Sequence, residues 1–163
     1  MVRVTQMSLL FVLVMVSSAF EKTNGQKNVF RPRCPVGWTK YNEHCIFYVS
    51  QALDWAAAEA NCLVLGAHLV SIHSESEYRM VKALIHAHDP SDKPTWLGLS
   101  NCQKRDSWFW SDGSKFDYSK WNKEEPNHSN GECCVNLNWD NQKNWNDMPC
   151  NAAHPSVCSK KAA

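Results

Sequence analysis

Residues 122–150 read NKEEPNHSNGECCVNLNWDNQKNWNDMPC. Eight asparagines fall between positions 122 and 146, with little apolar content apart from tryptophan and the run Cys133–Trp139, which alternates as a strand does. Glu125-Pro126-Asn127, then Glu132, then Trp145-Asn146-Asp147 offer carboxylate and amide oxygens only. Oxygen-only donors suit a hard cation, and calcium takes about six to eight of them. Glu125, Glu132 and Asp147 supply three negative charges, and Asn127 and Asn146 supply neutral carbonyls, leaving coordination positions for something outside the protein. The X-Pro bond at Pro126 has access to the cis form, which reorients the flanking side chains. A scatter of Asn and Glu alone reads as a solvated polar loop. A long polar loop edged by short strands in a compact domain reads as a functional one.

The chain before this stretch is patterned differently. Asp54 is placed to cap a helix whose inner face carries Trp55, Ala58, Cys62 and Leu65, with Gly66 stopping it. Ser74-Glu75-Ser76-Glu77 is a capping box opening a second helix, with Tyr78, Val81 and Ile85 inward and an end before Pro90. Residues 45–49, 95–99 and 108–110 read as short strands, the last followed by the turn Ser111-Asp112-Gly113, and Lys160-Lys161 reads as a solvated tail. Helices first and short strands later predict an α+β fold rather than a parallel α/β sheet.

Composition narrows the class. Seventeen basic residues stand against 16 acidic ones in 163, so bulk charge holds the protein neither to nucleic acid nor to an anionic membrane. Arg3, the apolar run Met7–Val16 and Ser17-Ser18-Ala19 form a secretory leader over residues 1–19. That run is shorter than the roughly 20 residues a bilayer span needs, so no membrane insertion is expected. Residues 20–33 are polar and basic and read as a mobile arm. All eight cysteines (34, 45, 62, 102, 133, 134, 150 and 158) follow the leader, and an even count in an exported chain reads as a disulfide framework. No pair of C-x-x-C motifs suggests zinc. Cys133 and Cys134 are neighbours whose side chains leave a strand on opposite faces, so each takes a different partner. No Gly-x-Ser-x-Gly or His-Glu-x-x-His motif points to catalysis, and the protein is expected not to be an enzyme. The eight tryptophans are read mostly as core, with Trp139 and Trp145 packing beneath the oxygen cluster.

Trp96-Leu97-Gly98-Leu99, Trp110-Ser111-Asp112-Gly113, Glu125-Pro126-Asn127, Trp145-Asn146-Asp147 and Cys150…Cys158 stand in the order found in C-type lectin domains, and the chain resembles that family from about Cys34 to Cys158. It looks most like the small secreted lectins of fish and the related type II antifreeze proteins, which share extra cysteines like Cys102 and the Cys133-Cys134 doublet. The resemblance implies a two-helix α+β fold over residues 34–160, with short antiparallel sheets and a calcium-binding upper loop. It also implies the bridges Cys34–Cys45, Cys62–Cys158, Cys134–Cys150 and, as in the antifreeze relatives, Cys102–Cys133.

The family's site maps onto Glu125, Asn127, Glu132, Asn146 and Asp147, which would hold Ca2+ and hydrogen-bond the vicinal hydroxyls of a sugar. In the family, Glu-Pro-Asn goes with mannose-type sugars and Gln-Pro-Asp with galactose. Two departures matter: His128 and Cys133 stand where many members carry the acids of a second calcium site, and Asn127-His128-Ser129 is a glycosylation sequon, read as unused. The expectation is therefore a secreted, extracellular, calcium-dependent glycan-binding lectin, mannose-type first and galactose-type second, serving innate or mucosal defence. The alternatives are an ice-binding protein of the antifreeze type, or a calcium-independent galactoside-binding lectin. With no odd cysteine and no heptad pattern in the arm, the expected assembly is a non-covalent homodimer.

Overall fold

The computed structural model describes residues 33–163. The leader and all of the arm but Arg33 lie outside the described residues. Arg33 donates its backbone N–H to the Ala163 carbonyl at 2.8 Å, and the Ala163 N–H returns to Arg33 at 3.3 Å.

Both helices start where their caps put them. In α1 (Trp55–Val64) the Asp54 carboxylate accepts from the Ala57 N–H at 2.8 Å, and Ala58 and Cys62 are buried. Leu65, expected on the inner face, is instead the residue that ends the helix and is 36% exposed, next to the exposed Leu63 and Val64. Gly66 follows at φ +66°, a conformation that favours glycine. In α2 (Glu75–His88) the Ser74 hydroxyl accepts from the Glu77 N–H at 3.2 Å. The Glu77 carboxylate reaches back one residue further than a standard box, accepting from the His73 N–H at 2.6 Å. Tyr78, Val81, Leu84 and Ile85 are buried.

The strands are β1 (Thr39–Tyr41), β2 (His44–Leu53), β3 (His68–Leu69), β4 (Thr95–Ser100), β5 (Phe109–Trp110), β6 (Cys134–Trp139), β7 (Asn144–Met148) and β8 (His154–Lys161). They form one sheet in the order β1-β2-β8-β4-β6-β7, with β3 on β8 and β5 on β4. Every pairing is antiparallel except β4 with β8, which is parallel at Trp96 and Ser156, so the sheet is mixed where short antiparallel sheets were expected. Lys160-Lys161 is no tail: both lie in β8, and Lys160 Nζ donates to the Leu65 carbonyl at 2.8 Å and sits 4.2 Å from the Trp38 ring centroid.

The core occupies both faces of the sheet. Tyr78, Val81, Ile85, Leu97, Leu99, Val135, Leu137 and Trp145 belong to one cluster, and Ala58, Cys62, Leu69, Trp96, Cys134 and Cys158 to the other. Strand β6 is therefore buried on both sides rather than half-exposed, Asn136 and Asn138 included. Gly98 serves close approach: a Cβ there would meet the Leu69 carbonyl oxygen at 2.7 Å and Ser111 Oγ at 2.8 Å. Four disulfides, Cys34–Cys45, Cys62–Cys158, Cys102–Cys133 and Cys134–Cys150, leave no free cysteine. The second ties α1 to β8 across a sequence separation of 96, where it constrains the unfolded chain most.

Candidate functional site

The polar stretch is laid against the sheet by its own backbone. Trp121 bridges Trp145 in parallel, the Trp145 N–H donates to the Lys120 carbonyl, and the Asn122 N–H donates to the Trp145 carbonyl, both at 2.9 Å. The Asn122 side chain then bolts this strap to both strands of the β6–β7 hairpin. Its Nδ2 donates to the Trp139 carbonyl and its Oδ1 accepts from the Asn144 N–H, each at 3.1 Å. Beneath the strap Trp145 is fully buried, edge-on to Trp110, Tyr118 and Trp121 at 5.9, 5.8 and 5.7 Å. Trp139 does not join this floor; it stands 37% exposed on the hairpin.

Past Asn122 the chain turns through a cis Glu125–Pro126 bond and delivers two backbone donors to one carboxylate. The Asn127 N–H donates to Asp147 Oδ1 at 3.0 Å and the His128 N–H to Asp147 Oδ2 at 2.9 Å. Asp147 is wholly buried. Asn127 also bonds Glu125, Nδ2 to Oε1 at 3.0 Å and N–H to Oε2 at 3.1 Å, and its own Oδ1 accepts from the Ser129 N–H at 2.7 Å. Burial, then a hydrogen bond and charge repulsion from Asp147, push the Glu125 carboxyl up to about 7. Glu132 is also raised, by burial first and by Asp147 second, and its Oε2 is buried without a partner.

The structure thus brings Glu125, Asn127 and Asp147 into direct contact and sets Glu132 within electrostatic reach. Among the described residues, Asn146 makes no hydrogen bond to their side chains. Successive strand residues leave opposite faces; Asp147 is paired with Val135 and Asn146 with Asn136, and the Asn146 amide turns to the backbone carbonyl of Asp147. Among the described residues, the carboxylates of Glu125, Glu132 and Asp147 do not gather within 4.8 Å of one another; the sulfurs of Cys102, Cys133, Cys134 and Cys150 are the group that does. The donor chemistry nevertheless fits a hard cation. Two glutamates whose carboxyls are raised in part by Asp147, and an orphaned carboxylate oxygen on Glu132, are the arrangement that a divalent ion relieves.

Sequence reasoning marks His128 only as a departure from the family's second calcium site; its imidazole lies between Asp147 and Asp106 at 3.2 Å from each and stacks on Trp108 at 5.8 Å. Sequence reasoning misses Asn122, since nothing marks one bolt among eight asparagines. A cavity of about 520 Å³ lies elsewhere, between the β1–β2 hairpin and α2, and shares no residue with the acid cluster.

Residues 51–160 match the family model described as Lectin C-type domain. The chain belongs to the C-type lectin family. Ladderlectin of Oncorhynchus mykiss is 39% identical over 132 residues, covering 80% of this chain and 70% of that one. Lactose-binding lectin l-2 of Anguilla japonica is 39% identical over 154 residues, covering 91% of each. The structure of herring type II antifreeze protein superposes with a TM-score of 0.75 at 38% identity, over 80% of this chain and all of that one. C-type lectins bind carbohydrate without transforming it, so the non-enzymatic reading follows from membership, and the relatives include both lectins and antifreeze proteins. Among the described residues no helix is long and apolar enough to cross a membrane.

Proposed function

We propose that this C-type lectin is a secreted, extracellular glycan-binding protein that works through Ca2+, with residues 1–19 as its leader and 34–160 as its binding domain. Glu125, Asn127, Glu132 and Asp147 would hold the ion through carboxylate and amide oxygens, and Asn146 would join them by swinging its amide off the Asp147 carbonyl. Bound calcium would supply coordination to two vicinal hydroxyls of one sugar. The observation that carries this reading is the acid cluster: Glu125 is pushed up to about 7 by burial and Asp147, and Glu132 holds a buried oxygen with no partner. The same side chains suit the sugar, since carboxylates accept hydrogen bonds and the Asn127 amide donates them.

Glu125 before Asn127 puts acceptor first and donor second, the order that supports mannose-type sugars. A second reading, galactose-type sugars, is favoured by the lactose-binding relative of Anguilla japonica. A shallow single site binds at about millimolar strength, near 4 kcal/mol, so avidity from a non-covalent homodimer would serve defence against glycan-coated microbes. A glycan array with and without a calcium chelator tests the proposal. Mannose-rich binding that vanishes with the chelator supports it, chelator-insensitive galactoside binding replaces it with the second reading, and thermal hysteresis without glycan binding would place the chain with the antifreeze members.

A further inference from the structure

Four sulfurs crowd one corner of the fold. The bridges Cys102–Cys133 and Cys134–Cys150 lie side by side, with Cys150 Sγ 3.4 Å from both Cys102 Sγ and Cys133 Sγ. Cys102 Sγ lies 3.9 Å from Cys134 Sγ, and all four sulfurs fall within 4.8 Å of one another. Cys102 is exposed, Cys133 and Cys150 are half-buried, and Cys134 is buried. Disulfides exchange when a thiolate attacks one of their sulfurs, and access to that sulfur sets the rate. Here each bridge already touches the other, and one end of the pair is open to solvent.

We propose that this corner is a thiol-exchange site, at which a small-molecule thiol entering at Cys102 isomerises the two bridges to Cys102–Cys134 and Cys133–Cys150. The incoming thiolate attacks Cys102 Sγ, the Cys102–Cys133 bond breaks, and Cys133 leaves as a thiolate. Cys133 Sγ attacks Cys150 Sγ, 3.4 Å away, the Cys134–Cys150 bond breaks, and Cys134 leaves as a thiolate. Cys134 Sγ then attacks Cys102 Sγ in the mixed disulfide and expels the small thiol unchanged. Three S–S bonds form and three break, with no net oxidation or reduction. The remaining alternative pairing needs a Cys133–Cys134 bridge, whose Cα atoms, about 3.8 Å apart, fall short of the usual 4.4–6.8 Å.

Exchange keeps both cysteines at the start of β6 bridged but swaps their partners, moving the link to Cys150 from Cys134 to Cys133 and the link to Cys102 from Cys133 to Cys134. Glu132, which precedes Cys133, thereby changes from the neighbour of a bridge to Cys102 into the neighbour of a bridge to Cys150. On the function proposed above, this couples the pairing state to the calcium set, but the exchange itself does not depend on that reading.

The test incubates the native protein with millimolar glutathione at mildly alkaline pH and quenches it in acid. Partial phosphine reduction in acid, cyanylation and cleavage then distinguish Cys133 from Cys134. Both pairings are expected, approaching a constant ratio with time. Recovery of the original pairing alone after prolonged incubation, or conversion to free thiols with no new partner, would overturn the proposal. Cys102→Ser with Cys133→Ser leaves Cys134–Cys150 without an exchange partner, and its pairing is expected to stay fixed; new bridges to Cys34, Cys45, Cys62 or Cys158 there would mean global scrambling and would also overturn it. Connectivity alone is read, so a failure leaves the calcium reading standing.

Discussion

His128 places Nδ1 3.2 Å from Asp147 Oδ2 while its backbone N–H donates to the same oxygen at 2.9 Å. Its Nε2 lies 3.2 Å from Asp106 Oδ1, and its side chain is only 10% exposed. The imidazole thus occupies, between two acids, the position at which many C-type lectins carry an acid of their own. His128→Asp should lower the melting temperature of the calcium-free protein, because it adds a negative charge beside Asp147 and Asp106. It should also enlarge the rise in melting temperature that calcium produces. Paired thermal melts with calcium and with chelator measure both shifts, and an unchanged calcium increment would refute the second.

Asn127 is exposed and, among the described residues, its side chain bonds only Glu125 and the Ser129 N–H. Asn127→Ala should therefore change calcium-free stability by no more than about 0.5 kcal/mol. It should nonetheless weaken calcium binding markedly in a calorimetric titration. Equal affinities for the wild type and the variant would remove Asn127 from the ion's shell.

Glu125 gives the calcium-free protein an unusual acid side. Its folded value, about 7, lies above the ordinary 4.5, so the folded state binds the proton more tightly than the unfolded state. The penalty is complete above about 7 and is relieved as pH falls toward 4.5. Calcium-free stability should rise over that window, and Glu125→Gln should flatten the rise. Calcium affinity should move the opposite way, since proton and ion compete for the same oxygens. Denaturant melts across the window with chelator present decide the first point.

Glu75 runs in the reverse direction. Its carboxylate accepts from Tyr118 Oη at 2.7 Å, Arg79 Nε at 2.9 Å and Lys120 Nζ at 3.1 Å, and these bonds hold it down at about 2. Its stabilising contribution is complete above 4.5 and is lost as pH falls through about 2. Glu75→Gln should make acid unfolding shallower in that range, as followed by circular dichroism. An acid limb identical to the wild type's would show that the three donors contribute nothing.

Cys62–Cys158 closes a separation of 96 residues and Cys34–Cys45 one of 11. Replacing the first pair by alanine should cost more stability, about 4–5 kcal/mol against about 3 for the second. Urea melts of the two double variants test the order, and a reversed order would contradict the chain-entropy account.

The features legible in the sequence are those set by near neighbours. Asp54 and Ser74 start helices because each cap needs only the next three residues. The Trp96–Leu99 run is a strand by composition, and Gly98 inside it is explained only once Leu69 and Ser111 are seen against it. The Lys160-Lys161 end of β8 reads as a tail because two lysines suggest solvent, while the strand's partners β2, β3 and β4 lie far away in sequence. In the site, residue types pointed to Glu125, Asn127 and Asp147. The place of His128 depends on Asp106, on a separate loop, and the turned-away Asn146 amide depends on its register with Asn136.

The reciprocal Arg33–Ala163 bonds make the backbone of the described domain close to a ring. A circular permutant could join these residues through a short glycine–serine linker and open new ends in an exposed loop such as 103–106. Labels placed at Arg33 and at Ala163 would leave from adjacent points beside β2 and β8. The strap carrying Glu125 and Asn127 lies along β7, the edge strand three places from β8, so a domain immobilised through Arg33 or Ala163 would present it away from the support.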